Sequence, residues 1–273
     1  MDSMRFFSFT KDNTRSKHNE DSDYHIRFGD RHGFAVADGV TRTLYGENLP
    51  TAALASHIFC RYVATCVVNG KSMTESFKIA NAAIRGLNEE YGITSDTVNY
   101  LDRDYISCVG VAACLLKGGS CLSYGYIGDC GIMIFDAVGM PVFVSENSLA
   151  QLEQIRNLWG YADEQKTLFW RKELRNNPGR RGLTFGALTG ESAALFYVKT
   201  GIVEIQPGDT IVLFSDGIYP CLLHRAFRMG IRHIIMDNEL SVETVDAQVE
   251  RCLGGIADLA LDDDKTFIAV TVS

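Results

Sequence analysis

The run ISCVGVAACLLKGGSCLSYGYIGDCGIMIF, Ile106 to Phe135, sets the fold class. Ile106 to Leu116 and Cys121 to Ile127 carry the small, β-branched and aromatic residues of strands, and Lys117-Gly118-Gly119-Ser120 between them is a hairpin signal. Gly128-Asp129 closes the second run, and Gly131 to Phe135 begins a third. Strands joined by such short turns predict an antiparallel meander, because parallel pairing needs a long crossover between strands.

Outward from this block the periodicity changes. Gly33 to Ala37 reads as a buried strand that ends in Asp38-Gly39. Thr51 to Val68 carries apolar residues at helical spacing, and Ser72-Met73-Thr74-Glu75 is a capping box that opens a second helix to about Tyr91. Downstream, strands over Phe196–Ile205 and Thr210–Ser215 flank the turn Pro207-Gly208-Asp209. Helical patterns follow over Tyr219–Met236 and Val242–Leu253, then a last strand, Thr266–Val272, directly after Asp262-Asp263-Asp264. Ser145–Arg181 is more polar, holds Trp159 and Trp170, and ends in the turn-rich Asn176-Asn177-Pro178-Gly179-Arg180-Arg181; it predicts a helical insertion or flap. The layout is one α+β unit over residues 1–273, with no internal repeat or low-complexity linker.

Composition narrows the function. A chain of 273 residues with 46% hydrophobic and 22% charged residues buries an ordinary globular core. Its net charge of −8 argues against a nucleic-acid footprint, which needs basic surface to displace counterions, and suits a protein that collects cations. Apolar stretches break too soon to span a bilayer, as at Arg61 after Ala52–Cys60. Met1–Thr10 lacks the basic start and long apolar centre of an export signal, and the eight cysteines include no Cys-x-x-Cys pair. A reducing cytoplasm is the expected compartment.

Acidic residues recur beside strand ends, often next to glycine: Asn19-Glu20-Asp21, Val36-Ala37-Asp38-Gly39, Phe214-Ser215-Asp216-Gly217 and Asp262-Asp263-Asp264-Lys265-Thr266. Each alone is more often a surface turn or solvated loop. Brought together, such hard oxygen donors suit Mg2+ or Mn2+ over zinc, and a pair of these ions roughly 3.5–4 Å apart can acidify water and stabilise both oxygens of an in-line displacement. A metal-dependent hydrolase is therefore the first hypothesis.

In order and context these motifs, with Gly128-Asp129-Cys130 between them, resemble the PPM-class (type 2C) metal-dependent serine/threonine protein phosphatases, from Arg15 to Val272. The resemblance implies a four-layer αββα sandwich of two antiparallel sheets flanked by helices, with the metals at one end. It implies that Asp38 bridges two Mg2+ or Mn2+ ions, with the Gly39 carbonyl beside it, and that Asp216 and Asp263 complete the set. Glu20 and Asp21 would act through bound water, and Asp129 would help to hold a third, weaker ion. The implied reaction is hydrolysis of phosphoserine and phosphothreonine monoesters by a hydroxide bridging the two ions. The implied partner is a phosphorylated protein, and a cognate kinase would oppose the enzyme.

The chain also departs from the family pattern. The arginine that grips phosphate, four residues before the glutamate, is Ser16 here, and Arg15 and Lys17 flank it as alternatives, the lysine without the planar two-point grip of arginine. The histidine that follows Asp-Gly in many eukaryotic members is Val40, so a different group must protonate the leaving alkoxide. Arg42 is a second phosphate candidate and His18 a proton-transfer candidate, both with a plain surface role as the competing reading. His25, His32, His57, His224 and His233 form no His-x-x-x-His pair, Ser215, Cys130 and Cys221 lack the partner pattern of a nucleophile, and Gly179–Gly186 lacks a Walker lysine. Two other readings stay open: an inactive module that binds a phosphorylated partner, and a phosphatase for a small phosphoester.

Overall fold

A computed structural model describes residues 4–13, 19–40, 52–115, 119–150, 152, 163–180, 183–237, 242–256 and 263–272. Arg15, Lys17, His18, Arg42, Trp159 and Asp262 lie outside the described residues.

Among the described residues ten strands form two five-stranded sheets. The first holds β2 (Ser22–Phe28), β3 (Arg31–Gly39), β4 (Cys108–Leu115), β5 (Cys121–Ile127) and β8 (Lys199–Glu204), in that spatial order. The second holds β1 (Met4–Lys11), β10 (Lys265–Val272), β9 (Thr210–Phe214), β6 (Gly131–Phe135) and β7 (Pro141–Val144). Every pairing is antiparallel.

The side-chain period of two explains why the sheets stack. Phe34 and Val36 of β3, Val109 and Val111 of β4, Ile211 and Leu213 of β9, and Ile268 and Val270 of β10 share one core between the sheets. The alternate residues face outward and are covered by helices. Ala35, Ala37 and Cys108 pack under α1 (Ala52–Val68) and α2 (Met73–Glu90). Val212, Phe214, Phe267 and Ala269 pack under a helical layer made of α4 (Tyr219–Leu222), α5 (Arg225–Met236) and α6 (Val242–Gly254). The result is the expected αββα sandwich.

Local chemistry sets the helix boundaries. Ser72 caps α2 in extended geometry, its hydroxyl accepting the Glu75 N–H at 3.2 Å. The pattern over 219–236 is two helices, because His224 takes an extended conformation (ψ 123°) between α4 and α5. The expected strand from Phe196 starts only at Lys199, since Ser192–Tyr197 forms a 3-10 turn.

The meander expected over 106–135 holds for β4 and β5 and fails at β6, which crosses to the facing sheet and pairs with β9 and β7. Gly128 makes the crossing: its φ is +82°, and a Cβ there would lie 2.3 Å from Val109 Cγ1. Side chains larger than hydrogen are excluded on both counts.

The described residues of 145–181 include a helix, α3 (Asp163–Leu168), running into a π-helical turn over Phe169–Leu174. Leu152, Leu174 and Phe185 bury one another there, with Leu149, Phe169 and Trp170 around them. The buried Asp104 carboxylate anchors this part to the body, with Arg175 Nη1 at 2.9 Å and Arg171 Nε at 3.1 Å from Oδ2. Among the described residues no helix is long and apolar enough to cross a membrane.

Candidate metal centre

Strand register brings the acidic motifs to one end of the sandwich. Ser22, which starts β2, lies opposite Ala37 near the end of β3. Cys108, which starts β4, lies opposite Gly39. Gly131, which starts β6, lies opposite Phe214, which ends β9, and Phe267 near the start of β10 also faces Phe214. Asp21, Asp38, Asp129, Asp216 and Asp263 each sit at or beside one of these ends. Asp38 continues the inward-facing set of Phe34 and Val36, and Ser215 continues that of Ile211 and Leu213. The alternation that builds the core thus delivers a carboxylate and a hydroxyl to the mouth between the sheets.

Electrostatics measures the convergence. The Asp38 carboxyl is held well above the usual carboxylate range, first by burial and then by the charges of Asp21, Asp216, Asp129 and Asp263. Asp21 is pushed up to about 7, chiefly by burial, against hydrogen bonds from Ser215 and Thr266 and with Asp264 and Asp263 adding to the rise. Five carboxylates therefore interact at one point, and among the described residues no ion pair involves Asp38 or Asp21.

Each acid is held by its surroundings. Asp21 Oδ2 accepts the Ser215 hydroxyl at 2.7 Å, while its Oδ1 is buried without a hydrogen bond to any described group. The Asp21 N–H donates to Asn19 Oδ1 at 2.9 Å, which tightens the Asn-Glu-Asp turn. The Glu20 carbonyl accepts the Gly39 N–H at 3.1 Å and the Ser56 hydroxyl at 2.8 Å, so α1, β3 and the Glu20 turn meet there. Gly39 is required by this approach, since a Cβ would lie 2.6 Å from that of Ala52 and 2.9 Å from the Glu20 carbonyl oxygen.

Residues of the final acidic run divide by burial. Asp263 is exposed, whereas Asp264 is 6% exposed and accepts three N–H groups: Asn13 N and Asn13 Nδ2 on Oδ1, each at 2.8 Å, and Glu20 N on Oδ2 at 2.9 Å. Asp263 is thus the one of these two left open toward the cluster.

This donor set fits a hard divalent cation. Crowded carboxylates resist ionisation together, a buried carboxylate oxygen of Asp21 lacks a hydrogen bond, and both features are met by a cation bound among oxygen donors. Among the described residues no group of three or more acidic, histidine or cysteine side chains is arranged to hold a metal ion as the side chains stand. Glu20, Asp21, Asp38, Asp129 and Asp216 are half-buried, deep enough to feel desolvation and open enough to admit water and ions.

The chain has the fold of the PPM-class serine/threonine phosphatases. It resembles the Mycobacterium tuberculosis serine/threonine phosphatase PstP/Ppp (17% identity, TM-score 0.61, 98% of each chain). It also resembles PppA, a regulatory component of the type VI secretion system of Pseudomonas aeruginosa (16% identity, TM-score 0.62, 99% of this chain and 98% of that one). RsbX in complex with magnesium is a further match (13% identity, TM-score 0.57, 99% and 96%). Likeness at such identities is one of fold. No family model and no curated protein sequence matches the chain.

Sequence reasoning missed the support of the site. Ser215 was weighed only as a nucleophile, and the structure makes it the hydrogen-bond partner of Asp21. The inward parity of β9, extended by one residue pair past Leu213, is the signal that finds it.

Proposed function

We propose that the chain, as one domain over residues 1–273, is a metal-dependent phosphatase that hydrolyses phosphoserine and phosphothreonine monoesters of a phosphorylated protein. The observation that carries this reading is the convergence of Asp21, Asp129, Asp216 and Asp263 on Asp38 at one end of the sandwich, where burial first and these charges second hold the Asp38 carboxyl well above its ordinary range. In the proposal Asp38, Asp216 and Asp263 hold a pair of Mg2+ or Mn2+ ions with the Gly39 carbonyl, and Asp129 contributes to a weaker third position. Bound there, such ions supply an acidified water as nucleophile and neutralise charge on the phosphoryl oxygens.

The chain's own groups orient and bind. Glu20 and Asp21 accept hydrogen bonds from water in the mouth, and Ser215 Oγ holds Asp21 in one rotamer through its 2.7 Å hydrogen bond. Arg15 or Lys17 supplies the positive charge for the substrate phosphate, as a two-point grip or as a point charge respectively. Val40 has no ionisable group, so the leaving alkoxide takes its proton from water or from another side chain. In this reading the substrate is a protein phosphorylated by a cytoplasmic serine/threonine kinase.

Turnover of p-nitrophenyl phosphate and of a phosphothreonine peptide, with and without Mn2+ or Mg2+, tests the proposal in wild type and Asp38→Ala. Metal-dependent turnover lost in Asp38→Ala is the expected result. Folded wild type that binds Mn2+ and turns over neither substrate defeats it in favour of a phosphate-binding module, and turnover confined to small phosphoesters defeats its protein-substrate part.

A further inference from the structure

We infer that Asp264 is a positioning residue: it ties Asn13 and Glu20 to the start of β10 and so fixes the Glu20 turn against the acid cluster. Both of its oxygens are engaged by N–H donors. Oδ1 takes Asn13 N and Nδ2 and Oδ2 takes Glu20 N, so residues seven apart in sequence are tied to one buried carboxylate. Hydrogen bonds to an ionised acceptor are the strong ones, and three of them occupy most of a carboxylate's roughly four acceptor positions, where a metal ligand keeps its lone pairs for the cation.

The clamp reaches the turns that carry Glu20, Asp38, Asp216 and Asp263. Through Glu20 it sets the carbonyl that receives Gly39 N–H and the Ser56 hydroxyl, next to Asp38. Its own backbone carbonyl presses on the Asp216-Gly217 turn, where a Cβ on Gly217 would come within 2.1 Å of the Asp264 oxygen. Its N–H donates to Asp263 Oδ1 at 2.9 Å, which orients the exposed neighbour. Asn19 Nδ2 bonds Thr10 Oγ1 at 2.9 Å, and Thr10 Oγ1 meets Thr266 Oγ1 at 2.8 Å, so the same turn is sewn to β1 and β10 a second time. One carboxylate thus sets the register among three loops, and its neighbour, identical in chemistry, is the one that faces the cluster.

The catalytic consequence rests on the phosphatase reading, because Arg15 and Lys17 lie between the clamped residues in sequence. The structural consequence does not. The test uses Asp264→Ala, Asp264→Asn, which keeps the shape and one acceptor, and Asn13→Ala, which removes one of the donors. Amide hydrogen exchange at Asn13 and Glu20 and Mn2+ binding by calorimetry are read alongside kcat and KM for a phosphothreonine peptide.

The expected result for Asp264→Ala is exchange at Asn13 and Glu20 faster by about tenfold or more, Mn2+ affinity lowered by no more than about tenfold, and KM raised about tenfold with kcat nearly unchanged. Asp264→Asn should fall between Ala and wild type, and it replaces Ala if that variant does not fold. Mn2+ affinity lost by about thirtyfold or more, with exchange at Asn13 and Glu20 unchanged, overturns the inference and makes Asp264 a ligand. A KM unchanged beside lost protection also overturns it. A wild type without turnover defeats the phosphatase reading alone, because exchange and Mn2+ binding still decide the clamp.

Discussion

Ser215→Ala isolates the link between the β9 turn and Asp21. The Ser215 hydroxyl is fully buried, donates to Asp21 Oδ2 at 2.7 Å and accepts the Thr266 N–H at 3.0 Å. Alanine removes a bond to an acidic acceptor, worth about 1.5–3 kcal/mol, and strands a buried N–H, which costs about 1–3 kcal/mol. The two share one oxygen and do not add in full, so the expected loss is about 2–4 kcal/mol. Equilibrium urea unfolding in EDTA measures it without any contribution from bound cations, and an unchanged slope with a lowered midpoint shows that the native state alone was affected. Ser215→Cys, with a weaker donor of similar shape, should lose less. The same alanine variant should bind Mn2+ about tenfold more weakly, since a freed Asp21 must be reordered on binding. A stability change below about 0.5 kcal/mol, the range of ordinary surface substitutions, would refute the claim that this hydroxyl holds the acid.

Asp38→Asn should stabilise the cation-free protein at neutral pH by about 1–3 kcal/mol, seen as a raised urea midpoint in EDTA, because it removes the carboxyl most opposed by its neighbours. The gain should grow as pH rises, since a raised native pKa gives stability that is full below the unfolded value and is lost as pH climbs through the native one. His25 runs the other way. Its ring lies 4.0 Å from that of Phe6 and its Nε2 is 3.2 Å from His32 Nδ1, and burial, then the charge of His32, lowers its pKa to about 4. Its stabilisation is present above the unfolded value near 6.5 and is lost as pH falls toward 4, about 1–2 kcal/mol after solvent screening, and His25→Phe should flatten that limb of a thermal-melt pH profile. Ser72→Ala should cost about 1 kcal/mol and speed amide exchange in the first turn of α2, which loses the cap on Glu75 N–H.

The place of Asp38 and Asp216 at strand ends could be read from the sequence because each follows an apolar run, and the period that puts Val36 in the core also aims Asp38, two positions on. The helices α1 and α2 were equally plain, one from its apolar stripe and one from its cap. Strands β1 and β2 gave no such signal: β1 buries only Phe9 and β2 buries no residue fully, because both lie at sheet edges. β7 was hidden by Pro141 and by the exposure of Val142 and Val144 at another edge. The crossing at Gly128 escaped because a tight glycine turn looks the same in sequence whether the next strand stays in its sheet or leaves it. Asp263 and Asp264 are alike in type, and only the three N–H groups that reach one of them tell them apart.

The place of β10 has a consequence for synthesis. It lies inside its sheet, between β1 and β9, in register from Met4 opposite Val272 to Lys11 opposite Lys265, and it leaves the ribosome after every other described element. Until then β1 and β9 border a gap with unpaired backbone edges, and neither Asp263 nor Asp264 has reached the mouth. A nascent or truncated chain is therefore sticky and without its complete acid cluster at once, a form for chaperones to shield and proteases to remove. Folding and the onset of any metal-dependent activity are one event, timed by the last strand.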